Sequence, residues 1–251
     1  MPGRFLIAEL ARQPWALEPT ALGVMADVLG RWAHGTRLDE HAIEAAVGSA
    51  PMATRARRQD ATDVRAGVAV LPLFGVLAHR AHMVSQVSGA GGTSTEMFGR
   101  MLASALDDPA VRTIVMDVDS PGGSVAGTME LAERVYEARQ RKPIIAVANA
   151  TAASAAYWIA SAATEFVVTP SGSVGSIGVL AVHTDRSGAL TRDGIRPTLI
   201  HAGRYKTEGN SNEPLSADGR AEIQRMIDQA YTKMTSAIGR YRGRDAADVR
   251  E

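Results

Sequence analysis

Residues 113–139 read TIVMDVDSPGGSVAGTMELAERVYEAR. The opening six, TIVMDV, are a short apolar run of the length and β-branched character of a buried strand. Ser120-Pro121-Gly122-Gly123 is a turn, since proline and paired glycines punctuate regular structure. Val125–Arg139 then returns to the spacing of an amphipathic helix. A strand, a tight turn and a helix in succession form half of a βαβ unit, and that unit implies a parallel sheet with right-handed crossovers.

The same alternation runs outward in both directions. Strands are expected at Val68–Leu77, Pro143–Val147, Phe166–Thr169, Val179–Thr184 and Thr198–His201. Helices are expected at Thr95–Leu106, Ala152–Ala163 and Ser216–Arg242, the last with Ile223, Met226, Ile227, Tyr231 and Met234 on one face. Upstream the texture differs. Residues 18–33 and Asp39–Val47 have helical spacing, Ser49–Gly67 is polar and Arg-rich with the composition of a linker, and Ser85–Thr93 is a glycine-rich loop. The division is therefore an N-terminal helical extension and linker over 1–66 and an α/β core over 67–251, with parallel strands and flanking helices.

Composition narrows the chemistry. Lysine plus arginine and aspartate plus glutamate both number 27, so no global charge points to nucleic acid or an acidic membrane. The chain has no cysteine, which removes disulfides, thiolate metal sites and a cysteine nucleophile together. No apolar run approaches the eighteen or more residues of a membrane span, and the first ten residues do not read as a signal peptide. The reading is of a soluble, cytoplasmic protein without a membrane anchor.

In parallel sheets, sites gather at the carboxyl ends of strands and the amino ends of the helices that follow. Three loops qualify. At Asp119–Ser124, Gly122 and Gly123 let backbone N–H groups approach a ligand, and the helix amino end adds partial positive charge; the turn suits an oxyanion hole or simply a tight connection. At Asn149–Trp158, Ser154 stands at the start of a helix, where a serine ordinarily caps, yet five alanines around it permit close backbone approach. At His201–Thr207, Lys206 follows a strand. A lysine is ordinarily a solvated charge, and bringing its free pKa of about 10.4 down to roughly 7–8 takes on the order of 3–5 kcal/mol, which burial beside a hydroxyl supplies.

Other chemistries fit less well. Of the six scattered histidines only His79 and His82 are close enough to share a helix face, and no carboxylate sits near them as a further ligand, so no metal is expected. No G-x-S-x-G elbow supports a triad through His183 or His201. No phosphate-binding loop is present, and Gly89-Ala90-Gly91-Gly92 lacks the context of a dinucleotide site. Asp117 and Asp119 form only a weak candidate for paired carboxylates.

Four runs, DVDSPGGSVAG (117–127), ATAASAAYWIASAA (150–163), GSVGSIGV (172–179) and GRYKTEGN (203–210), resemble the serine peptidase family of signal peptide peptidase A in content and order. The resemblance implies a Clp-protease/crotonase-like fold and a Ser-Lys dyad, with Ser154 as nucleophile and Lys206 as general base. It further implies that Ser176 orients the lysine and that Gly122 or Gly123, with Ala155, lends backbone N–H groups to the oxyanion. No cofactor is implied. The substrates would be extended peptides, with small or aliphatic side chains near the cut, and the assembly a homo-oligomeric ring.

WALEPTAL (15–22), TLIHAGRYKTEGN (198–210) and EPLS (213–216) are similar to the soluble bacteriophage head-maturation proteases of that family. That likeness implies cleavage of scaffold and capsid proteins in the host cytoplasm, inside the assembling prohead. Family members continue past the long C-terminal helix, so a chain ending at Glu251 is expected to be shortened there. The alternatives are a cellular soluble peptidase of the same family, an acyl-CoA hydratase-type enzyme of the same fold, and a non-catalytic capsid assembly protein.

Overall fold

A computed structural model describes residues 14–23, 63–80 and 92–250. The helix expected at 39–47, most of that at 18–33, the Arg-rich stretch up to 62 and the glycine-rich stretch 85–91 lie outside the described residues.

In chain order the elements are β1 (Trp15–Leu17), β2 (Asp63–Arg65), β3 (Val68–Phe74), β4 (Leu77–Ala78), β5 (Thr93–Ser94), α1 (Thr95–Asp107), β6 (Thr113–Ser120) and β7 (Gly122–Ser124). There follow α2 (Thr128–Ala138), β8 (Ile144–Ala153), α3 (Ala155–Ser161), β9 (Glu165–Val168), β10 (Ser173–Gly175), α4 (Ser187–Arg192) and α5 (Ala217–Arg242). The strand–turn–helix at 113–139 holds the centre. β6 pairs in parallel with β3 on one side and β8 on the other. One edge of β8 takes β9 along Ile145–Ala148 and then β10 along Thr151–Ala153, both parallel. β2 adds antiparallel to β3 at the far edge.

The expected α/β architecture with parallel strands and flanking helices is what folds. Ile114, Met116 and Val118 of β6, Leu71 and Leu73 of β3 and Ile144 of β8 are fully buried. Phe98 and Leu102 of α1, Leu131 and Val135 of α2 and Trp158 and Ile159 of α3 pack in the same core. Helices covering a parallel sheet remove its apolar side chains from water at about 25 cal/mol per Å².

Two chain reversals move the backbone into a second, smaller sheet of order β1-β7-β4-β5. Gly75, at φ 64°, ends β3, and its N–H donates to Asp119 O at 2.9 Å. Ser120 Oγ donates to Gly75 O at 2.6 Å and accepts from Gly122 N–H at 3.1 Å, which ties the two reversals together.

α5 is anchored by its second half. Met234, Ile238 and Tyr241 are buried, whereas Met226 is exposed, so the apolar face expected over 223–234 is covered only toward the C-terminus. The Tyr136 and Tyr241 rings stack at 4.6 Å, Arg139 lies 4.0 Å above Tyr136, and Tyr241 Oη donates to Glu133 Oε2 at 2.9 Å.

Three expectations are corrected. Asp63–Arg65, placed in a linker, is a strand, because it finds the free edge of β3. Val179–Thr184 and Thr198–His201 are not strands. Leu180 makes one isolated bridge to Trp15, and Ile200 is 94% exposed. β-branched composition suits a pleated surface, but without a neighbouring edge it forms no ladder. Ser173–Gly175 is instead the strand beside β8.

Candidate active site

β8 ends at Ala153 and α3 begins at Ala155, leaving Ser154 alone at the junction. Its backbone is at φ 54°, ψ −113°, a sparsely populated region for a residue with a Cβ, costing of order 1–3 kcal/mol. Ser154 N–H donates to Gly175 O at 2.8 Å and Ser154 O accepts from Trp158 N–H at 2.9 Å, so both flanks pin the strained residue. Elsewhere in the chain a serine at this position behaves ordinarily. Ser94 Oγ accepts from Met97 N–H to cap α1, and Ser216 Oγ accepts from Gly219 N–H to cap α5. Ser154 Oγ caps nothing; it donates to Gly178 O at 3.3 Å, and the residue is 1% exposed.

The glycine turn lies against this serine. A Cβ built on Gly122, at φ 102°, would lie 3.0 Å from Ala153 O and 3.1 Å from Ala155 N. A Cβ on Gly123 would fall 1.9 Å from Leu77 O. Both glycines are thus required by close backbone approach. Ala155 stands at the first position of α3, where an N–H has no partner within the helix. Gly122 N–H is engaged by Ser120 Oγ.

Ser176 follows Gly175, whose carbonyl holds Ser154, and has φ 52°. Among the described residues only Ala66, Ser154 and Ser176 have positive φ without being glycine, so strain concentrates at two serines one strand apart. Lys206 is elsewhere in character. It lies in exposed turns over 202–209, its N–H donates to Gly203 O at 3.2 Å, and its amine has no hydrogen-bond partner among the described residues. The chain therefore brings together Ser154, Ala155, Gly122, Gly123 and Ser176, and leaves Lys206 at the surface.

The remaining candidates are used structurally. Asp117 Oδ1 accepts from Asn149 Nδ2 at 2.9 Å, and the His183 Nε2 and His201 Nδ1 atoms contact the Asn210 and Gly203 carbonyls at 3.0 and 3.1 Å. Among the described residues no group of three or more His, Cys, Asp or Glu side chains could hold a metal ion. Nor is any helix there long and apolar enough to cross a membrane. Sequence reasoning did not anticipate two neighbours of the site. Gly178 O contacts the nucleophile candidate, and Trp15–Leu17 runs alongside Gly122–Ser124.

The parallel α/β fold thus sets a strained, uncapped serine at a strand–helix junction against a glycine turn. Residues 137–251 match the model of Peptidase family S49. The chain is 39% identical over 177 residues to the head-tail preconnector protein GP5 of Enterobacteria phage P21, an alignment covering 70% of this chain and 35% of that protein. It is 35% identical over 187 residues to the capsid assembly protease C of Escherichia phage lambda, covering 74% and 42%. A putative signal peptide peptidase SppA of Enterococcus faecium is 26% identical over 155 residues, covering 61% and 45%. The chain thus spans less than half the length of each of these relatives.

Proposed function

We propose that the protein is a serine endopeptidase in which Ser154 attacks the peptide carbonyl and Lys206 acts as general base. The observation that carries this reading is Ser154 itself, held at φ 54° with a hydroxyl that makes no cap. Backbone strain of this kind persists only where the surroundings enforce it, and it clusters at active sites. In this reading residues 67–251 form the catalytic unit and residues 1–66 an extension to it.

The chemistry follows from the neighbours. A neutral Lys206 amine takes the Ser154 proton as Oγ adds to the carbonyl carbon. Ala155 N–H and Gly123 N–H receive the oxyanion, since Gly122 N–H is committed to Ser120 Oγ; one such donor is commonly worth about 3 kcal/mol. The protonated lysine then returns its proton to the leaving amine, the C–N bond breaks, and water cleaves the serine ester. Ser176, beside the carbonyl that holds Ser154, orients the lysine.

Lys206 is exposed and unpartnered, so in this reading the dyad closes when copies of the chain assemble. Exposed Val167, Val168, Val174, Val182, Ile195 and Tyr205 supply apolar surface for such contacts. The names of the lambda and P21 relatives point to capsid assembly. The substrates proposed are accordingly scaffold and head proteins, cut within the prohead in the host cytoplasm.

The test uses purified Ser154→Ala and Lys206→Ala chains, alone and mixed, with a head scaffold protein followed by intact mass. The parent is expected to cleave, neither variant alone, and the mixture to recover part of the activity. Cleavage by both variants alone would overturn the dyad. A parent that leaves every protein intact while it assembles with capsid protein would favour the assembly reading instead.

A further inference from the structure

One segment beside the candidate nucleophile has no role in the chemistry above. Pro14–Glu18 is extended, and its central strand β1 adds antiparallel to β7 with Trp15 opposite Ser124, Ala16 opposite Gly123 and Leu17 opposite Gly122. It is hydrogen-bonded along both edges. On one side Val125 N–H donates to Pro14 O at 3.2 Å and Glu18 N–H to Pro121 O at 3.0 Å. On the other, Trp15 N–H donates to Leu180 O at 2.8 Å and Trp15 O accepts from Leu180 N–H at 2.9 Å.

The ladder decides where the Ala16 carbonyl points. Paired residues in an antiparallel ladder alternate between hydrogen-bonded and open, and the backbone groups of successive residues face opposite edges. Trp15 faces Leu180, so Ala16 faces β7, and the bonds at Pro14–Val125 and Glu18–Pro121 make Ala16–Gly123 the hydrogen-bonded pair between them. Gly123 N–H is therefore aimed at Ala16 O. The position of a Cβ on Gly122 lies 2.3 Å from that same oxygen and 3.1 Å from Ala155 N. A peptide carbonyl thus stands among the amides that the peptidase reading assigns to the oxyanion.

Side chains alternate accordingly. Ala16 is fully buried and belongs to the main core with Ala152, Ala155 and Ala156. Trp15 and Leu17 face away and form a small separate cluster with Leu22, Ala21, Val76 and Leu180. Trp15 and Leu17 pack in that satellite cluster and Ala16 gives the main core only a methyl group, so the segment can leave without opening the parallel sheet. Ser154, 1% exposed, must be uncovered before any other carbonyl can reach it.

We propose that Pro14–Glu18 occupies the substrate cleft as an intramolecular peptide ligand, with Ala16 O in the place of the scissile carbonyl. The cleft then takes an extended peptide of apolar–small–apolar pattern between Gly122–Ser124 and Leu180, and the segment slows turnover by competing with substrate until it withdraws. The proposal rests on the peptidase reading for its consequence, but its geometry can be tested without turnover.

The test uses the full chain carrying Ser154→Ala, and a fluorescein-labelled peptide of sequence QPWALEP, that of residues 13–19, read by anisotropy. Ala16→Asp, and separately Trp15→Ala with Leu17→Ala, are added to release the segment, and thermal melts identify which chains are folded. Each folded released chain is expected to bind the peptide at least tenfold more tightly than Ser154→Ala alone. Equal affinity, or no binding by any folded released chain, would overturn the proposal. With Ser154 restored, the released chains are expected to cleave an unstructured protein at least tenfold faster than the parent. Tighter peptide binding with no cleavage would leave the cleft assignment standing and refute the peptidase reading.

Discussion

Replacing Ser154 by glycine should make the protein more stable while abolishing its activity. Glycine enters the φ 54°, ψ −113° region without a Cβ penalty, whereas serine and alanine do not. Relief of that strain contributes about 1–3 kcal/mol. Glycine in turn loses about 0.5–1 kcal/mol relative to alanine, through the greater freedom of its unfolded chain. The balance favours Ser154→Gly over Ser154→Ala by about 1 kcal/mol, or roughly 2–4 °C in Tm for a domain of this size. The sign is the diagnostic feature, because at an ordinary buried position alanine outperforms glycine. Both chains are to be unfolded in urea and by heat, with cleavage of a protein substrate measured alongside. Both should be inactive. A Ser154→Gly chain less stable than Ser154→Ala by about 0.5 kcal/mol or more would refute the argument that the junction is strained.

Gly123→Ala drives a methyl to 1.9 Å from Leu77 O and forces β4 away from β7, at a cost of about 1–3 kcal/mol. It also displaces an oxyanion donor, so turnover should fall by about 10²–10³, measured by calorimetry and substrate cleavage. Met234→Ala empties a fully buried site on α5 and should cost about 2–5 kcal/mol in denaturant unfolding, whereas exposed Met226→Ala should stay within about 0.5 kcal/mol. Burial raises the pKa of Glu133, but hydrogen bonds from Arg240 and Tyr241 outweigh it and hold the carboxyl below its ordinary value of 4.5. A lowered folded-state pKa stabilises above 4.5 and the contribution disappears as pH falls through the folded value. The stability gap between parent and Glu133→Gln should therefore be flat above about pH 5 and shrink below it; this partly exposed pair is worth about 0.2–1 kcal/mol.

Much of the architecture was legible because local pattern and long-range packing agree. The TIVMDV strand, the glycine turn and the helix after it are each short-range signals, and each meets the partner that such a unit requires. The strands expected at Val179–Thr184 and Thr198–His201 failed for the complementary reason. Their composition suits a sheet, yet strand formation needs an edge to pair with, and β8 gave its edge to Ser173–Gly175. Asp63–Arg65 shows the reverse case, a polar segment made into a strand by the free edge of β3.

The candidate site divides along the same line. That Ser154, Ser176 and the paired glycines belong to one constellation could be argued from four ordered motifs in the chain. Whether Ser154 is an ordinary cap could not, because a serine before a helix has the same sequence signature whether its hydroxyl caps or not. Its dihedral angles, set by Gly175 O and the first turn of α3, decided that. The pairing of Ala16 with Gly123 was equally beyond the sequence. More than a hundred residues separate the two, and only the folded sheet sets a register between them. What the sequence alone determined is the alternation of strand, turn and helix about 113–139 and the residue types set on it, since periodicity and residue type are local properties. What the tertiary structure decided is which edges pair, which backbone is strained and what lies over the serine, since these depend on groups that meet only when the chain folds.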